Sequence, residues 1–336
     1  ADVERRWLAK RAKAAARQGA GTIRTFLNQP KVELANMRGR PISMDGTQVR
    51  WVVVVILDHP HPPTMTLPPH NGKVPTIVVL RRDWDFLWDQ LRSASAVVDY
   101  FHRVADNPGN DPGLGEESLR YLELAHADLA AAPDITAWMV TAGLRPRSGP
   151  TLPLEPASSQ DSLGHAVFRQ MLDDFAETTF DGDEAVRLQI LARLDRYSVG
   201  DRADLGRRLI EWFDECLLTP PVETRWHHRT MLLDHGKLQL AFSVCSAMSG
   251  YHAAMHRNWL MLRRHQLLEH MEGAGAEPPA VEDVWTVGIL LTPRPDGTRL
   301  WDTTVGATNA RPDFDADTLA TVAEVFGPLG TEGNLE

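Results

Sequence analysis

Four basic side chains near the start of the chain, Arg6, Lys10, Lys13 and Arg17, follow one another at intervals of four, three and four residues. On a helix this spacing gathers them on one face. Guanidinium and ammonium groups in such a row neutralise the phosphates of a polyanion and release its counterions, so the pattern points to nucleic acid. A solvated stripe on a surface helix is the other meaning of the same spacing. Val3, Trp7 and Ala14 fall toward another face.

Other residues invite a chemical reading and support it less. Asp58, His59 and His61, with His70 nearby, leave the end of an apolar run, where sites of open α/β sheets tend to lie. The intervening prolines splay the histidines and no metal-ligand spacing appears, so exposed loop histidines are the simpler account. A small-molecule enzyme would need Asp58, His59 and His61 to converge in a pocket. Farther on, His252 and His256 share a helix face with Arg263 and His270, but Ala253, Ala254 and Met255 stand between the first two, without the Glu of a zinc-protease HExxH. That face is expected to line a cleft or meet an anion. Asp313, Asp315 and Asp317, with Glu324, imitate a calcium loop, yet Thr318 stands where the loop needs Gly. Helix capping by Asp315 or Asp317 is the better expectation. No GxxxxGK[ST], GxGxxG or GxSxG is present. Cys216 and Cys245 are the only thiols, read as core residues of a protein in a reducing cytoplasm.

The elements that must position these groups are legible from period and punctuation. Asp2–Leu27 reads as helix, weakened by Gly19 and Gly21. A turn-rich stretch from Gly39 to Gly46 suggests a hairpin. The β-branched run Trp51–Leu57 and a second apolar strand, Val74–Leu80, flank a proline-rich loop and imply a buried α/β layer. Asp83 and Ser95 are expected to cap the next two helices, and a third runs from about Glu116 to Leu129. Three amphipathic helices then cover Leu163–Thr178, Asp183–Tyr197 and Asp201–Leu218, the last burying Leu205, Leu209, Phe213 and Leu217. Two hairpins, turning at Asp234-His235-Gly236-Lys237 and at Arg294-Pro295-Asp296-Gly297, alternate with the helices Ser249–Met271 and Asp315–Phe326 in a ββαββα order.

Length and charge set the frame. At 336 residues the chain predicts about two domains: residues 1–143, a proline-rich linker over 144–158, and 159–330. No apolar run approaches the ~20 residues of a membrane helix, so a soluble protein with no membrane partner is expected. The net charge is −10, but residues 1–50 carry eleven Lys/Arg against four Asp/Glu, a balance of +7, leaving −17 for the rest. A basic element on an acidic body meets phosphate locally while the remainder resists non-specific adsorption.

The basic helix WLAKRAKAAARQGAGTIRTFL, the strand ending ILDHP and the segment VPTIVVLRRDWDFLWDQL together resemble the downstream half of restriction-endonuclease-like PD-(D/E)xK proteins, including the NERD group. The resemblance covers about residues 1–105. It implies a partial nuclease-like α/β domain in which Lys10, Lys13, Arg17 and Gln18 face substrate phosphates. The Asp and E-x-K of that family are not found here, so the resemblance places the metal-binding carboxylates upstream of Ala1. Mg²⁺ is then expected only with that upstream motif, and no cofactor within this chain. The stretch LLTPRPDG…LWDTT, Leu290–Thr304, is similar to uncharacterised actinobacterial proteins.

The resulting expectation is a mixed α/β protein with a partial restriction-endonuclease-like first domain, a helical middle and an α+β C-terminal domain. Arg6, Lys10, Lys13, Arg17 and Gln18 are its nucleic-acid-binding residues, in a nuclease-related bacterial protein of defence or mobile-element biology. The C-terminal domain is expected to recruit a protein partner or to self-associate. The alternative is a non-catalytic assembly or regulatory protein whose basic helix packs on acidic surface.

Overall fold

Alternation along two short strands organises the first part of the chain. In the computed structural model, the described residues are 2–29, 31–35, 41–63, 65–67, 73–107, 113–130, 152–156, 158–178, 180, 184–220, 222–233, 238–273, 284–294, 298–326 and 333–335. They form a mixed α/β protein of two compact units, residues 1–127 with 152–155, and residues 128–151 with 156–336.

In the first unit, β3 (Val53–Leu57) pairs in parallel with β4 (Thr76–Leu80), Val55 opposite Val78 and Leu57 opposite Leu80. Side chains of successive strand residues point to opposite faces, so each face meets a different layer. Val53, Val55, Leu57 and Leu80 pack with Leu8, Ala12 and Ile23 of α1 (Asp2–Leu27). Ile77 and Val79 pack on the other side with α2 (Arg81–Leu91), α3 (Ala94–Asp106) and α4 (Glu117–Ala130), through Leu87, Phe101 and Tyr121. Ile56 remains 42% exposed, so the β-branched run is not a fully buried strand. A separate antiparallel ribbon joins β1 (Val32–Ala35) to β2 (Pro41–Met44), earlier than the expected hairpin.

Several local expectations shift for physical reasons. The N-cap of α3 is Ser93, whose hydroxyl accepts from the Ala96 amide at 2.9 Å, and not Ser95. Asp83 lies inside the first turn of α2, where its carboxylate accepts from the Leu80 amide at 3.3 Å. Part of the proline-rich stretch belongs to the core: Leu152 is buried, and Pro153 O accepts from the Tyr121 hydroxyl at 2.8 Å. The rest of it, through Thr151, lies outside the described residues.

The second unit is a three-layer sandwich. Its five-stranded sheet has the order β8 (Trp301–Thr308), β7 (Trp285–Pro293), β6 (Leu238–Cys245), β5 (Trp226–Leu233), β9 (Gly333–Leu335). The pairs are antiparallel except β6–β7, which are parallel and joined through α8 (Gly250–Gly273), since parallel neighbours need a crossover. From β5 onward the elements run ββαββα, with α9 (Ala316–Phe326) as the second helix, and β9 then returns to the β5 edge, a strand beyond the expected order. Both hairpin turns, at 234–237 and 295–297, lie outside the described residues.

Leu238, Leu240, Phe242, Val244, Val287, Ile289 and Leu291 face α5 (Ser162–Glu177), α6 (Glu184–Asp195) and α7 (Val199–Leu217). The inward residues of α7 are Arg202, Leu205, Leu209, Trp212 and Cys216; Leu217 is 56% exposed, so the burying stripe advances by alternate threes and fours and not by fours alone. Where α5 crosses α7, glycine meets glycine. A Cβ on Gly206 would lie 1.8 Å from Gly164 O, and one on Gly164 2.3 Å from Ala203 O.

That contact admits no methyl group without separating two backbones. Gly206→Ala is therefore expected to destabilise the second unit by about 1–3 kcal/mol or more. Urea denaturation measures it, and an unchanged midpoint would contradict the packing described.

Candidate nucleic-acid interface

The orientation of α1 follows from its small residues. Leu8, Ala12, Ala16 and Ile23 are buried, and Gly19 lets the helix come so close to β3 that an added Cβ would lie 2.6 Å from Val53 Cγ1. At its far end, Phe26 stacks on Trp51 with centroids 5.2 Å apart and rings 2° from parallel, while Trp51 Nε1 donates to Gly46 O at 2.9 Å. Val3, Trp7 and Ala14 are exposed, so the face that carries them is not the packed one.

With one face fixed, the others are determined. At about 100° per residue, Arg6, Lys10, Lys13, Arg17 and Arg24 fall within about 60° of one another, on a row roughly 27 Å long. All five are exposed, and among the described residues none is ion-paired with a carboxylate. Arg6 Nε donates to Asp2 O at 3.2 Å, whereas the Asp2 carboxylate sits 3.6 Å from Arg5. Arg24 was not singled out with the others; its spacing of seven from Arg17 is the signal that finds it. Gln18 is exposed but lies about 100° round from Arg17, on the side of Trp7 and Arg11.

That side has its own structure. The Arg11 guanidinium lies 5.4 Å from the Trp7 ring centroid. The His59 ring lies 6.1 Å from Trp7, tilted by 55°, and His59 Nε2 is 3.1 Å from Glu4 Oε1. Thus one histidine of the loop after β3 turns onto α1, while Asp58 and His61 are exposed. His70 lies outside the described residues. Among the described residues no three His, Cys, Asp or Glu side chains are grouped to hold a metal. Asp315 caps α9: its carboxylate accepts from the Thr318 amide at 2.8 Å and hydroxyl at 2.7 Å, which lowers its pKa.

In the second unit the helix face bearing His256 and Arg263 packs inward on the sheet. Gly288 and Gly306, paired across β7 and β8, make room for it: a Cβ on Gly288 would lie 2.9 Å from His256 Nε2, and one on Gly306 3.1 Å from Leu260. His228, Thr230, Gln239 and Ser243 line the same sheet face, as register and alternation require. Thr286 donates to Gln239 Oε1 at 2.9 Å, but Ser243 Oγ, Thr230 Oγ1, His228 Nδ1 and both ring nitrogens of His256 lack a well-formed hydrogen bond. Two buried arginines fasten this layer. Arg263 donates to Phe326 O at 2.7 Å, at the end of α9 where carbonyls lack helical partners; Arg264 donates to Asn309 O at 2.7 Å. Burial lowers both arginines to about 10, so they stay charged at neutral pH. His228 and Trp259 went unnoticed in the sequence, where nothing marks a polar strand residue as buried. Cys216 and Cys245 are free and buried, and burial pushes the Cys216 thiol up to about 12, which removes both from nucleophilic roles.

No helix among the described residues is long and apolar enough to cross a membrane. Comparison of the chain with protein-family models, curated proteins and solved structures gives no match.

The buried histidines carry a pH signature. Burial lowers His228 to about 4, helped by Arg263 and His227, and lowers His256 to about 4 against a small opposing effect of the Gly288 backbone. Below about 6.5 the unfolded chain takes up protons that the folded chain refuses. Stability is therefore full above that pH and falls as pH drops toward 4, by up to about 1.4 kcal/mol per unit for each histidine. Urea midpoints measured across this window are expected to fall, and to fall less steeply for His256→Gln. A flat profile would contradict burial of the neutral rings.

Proposed function

We propose that the chain is a nucleic-acid-associated protein that binds phosphate backbone through the exposed face of α1. The observation that carries this reading is the row Arg6, Lys10, Lys13, Arg17 and Arg24, with no carboxylate partner among the described residues, on a helix whose opposite side is packed on β3. Unpaired cations aligned over several turns repel one another, a cost that a polyanion relieves. The acidic remainder limits contact to this row. The order of a basic helix, a parallel strand pair and α2 supports reading the first unit as part of a restriction-endonuclease-like domain, which favours DNA or RNA over other polyanions. The role is binding in a reducing cytoplasm, within a nuclease-related bacterial protein of defence or mobile-element biology. Mg²⁺-dependent cleavage enters this reading only through the family resemblance. The second unit is the part that meets a protein partner or a second copy.

Binding of fluorescent oligonucleotides tests the proposal. Five phosphate contacts give a salt slope of about −4.5 on duplex, or about −3.5 on a single strand, in log–log form. The combined variant Arg6→Glu, Lys10→Glu, Lys13→Glu, Arg17→Glu is expected to lose on the order of 100-fold in affinity at moderate salt and most of the slope. Unchanged binding by that variant would remove the reading.

A further inference from the structure

The phosphate-binding row adjoins a side of α1 whose groups suit bases. Trp7, Arg11 and Gln18 fall within about 40° of one another, and Trp7 lies about 60° from Lys10 and one turn before it. Every apolar residue on the packed side of α1 is tucked against the strands, yet the Trp7 indole is 44% exposed. Val3 and Leu27, nearer the ends of α1, are exposed as well, but Trp7 is the open aromatic ring beside the basic row. It is also held in position. Arg11 lies over the ring at 5.4 Å, and His59, itself tethered to Glu4 at 3.1 Å, meets it at 6.1 Å. A held ring loses little freedom when a flat partner stacks on it.

We infer that Trp7 is a base-stacking platform and that the preferred ligand of α1 is single-stranded nucleic acid, its phosphates on Lys10, Lys13 and Arg17 and one unpaired base on the indole. The inference rests on the proposed polyanion reading and sharpens it. A duplex offers the same phosphates, but its bases are already stacked on one another and have no face to give. Stacking on an aromatic side chain tolerates any base, so the platform selects for strandedness and not for sequence. Gln18, about 16 Å farther along the same side, is placed to hydrogen-bond an exposed base edge.

The test compares a short oligothymidylate with a duplex of the same length, using fluorescence anisotropy on the full chain and on Trp7→Ala and Trp7→Phe. Trp7→Ala is expected to lose about tenfold on the single strand and to bind duplex as before, with its salt slope unchanged because no charge is removed. Trp7→Phe should retain most of the single-strand affinity. Undiminished duplex binding shows that the variant is folded. Equal loss on both ligands, or loss on neither, overturns the inference while leaving phosphate binding intact; binding that ignores the four charge reversals removes the underlying reading instead.

Discussion

The close approach of α1 to β3 is the constraint on which the interface depends. Leu8, Ala12, Ala16, Gly19 and Ile23 supply one narrow face of small and aliphatic groups, and Gly19 has no side chain to hold the helix away from Val53. Once that face is committed, helical geometry fixes where every other residue points. Five cations then face outward in a row, and an indole with its guanidinium and imidazole neighbours faces outward beside them. No separate device is needed to keep the charges exposed. The same packing that stabilises the first unit presents them.

The second unit uses basic residues in the opposite way. Arg263 and Arg264 are buried, and each finds backbone carbonyls: one at the end of α9, the other just after β8. A cation at a helix C-terminus meets both unpaired carbonyl oxygens and the negative end of the helix dipole. These bonds tie α8 to the end of α9 and to the segment just after β8. Around them lie neutral histidines and hydroxyls on a sheet face that a wholly apolar layer would normally occupy. Two glycines across β7 and β8 provide the space.

Periodicity exposed much of the architecture before any coordinates. The span of α1, the four long strands of the second unit and the ββαββα order all follow from apolar spacing and turn residues. Single-residue assignments were less legible. Ser93 caps α3 although Ser95 has the same chemistry, because the choice depends on where the chain leaves α2. Trp212 and Cys216 join the packed stripe and Leu217 leaves it, while Phe213 stays packed by stacking on Trp301, since a real helix advances by 3.6 residues and not by four. The polar layer was the least visible feature: His228, His256 and Arg263 carry no local sign of burial, and their neighbours come from strands and helices distant in sequence. At the candidate interface, the spacing of Arg6, Lys10, Lys13 and Arg17 was readable, whereas the status of Trp7 required knowing which face of α1 is packed.

Lysine acetylation footprinting is the most direct measurement of the central claim, because the exposed lysines of the first unit are few. Lys10 and Lys13 lie on the α1 row, while Lys31 and Lys73 are exposed elsewhere in the same unit. With an oligonucleotide present, the account predicts that Lys10 and Lys13 become protected and that Lys31 and Lys73 react as before. Protection of Lys31 or Lys73 alone, or of no lysine at an oligonucleotide concentration that saturates binding, would contradict it.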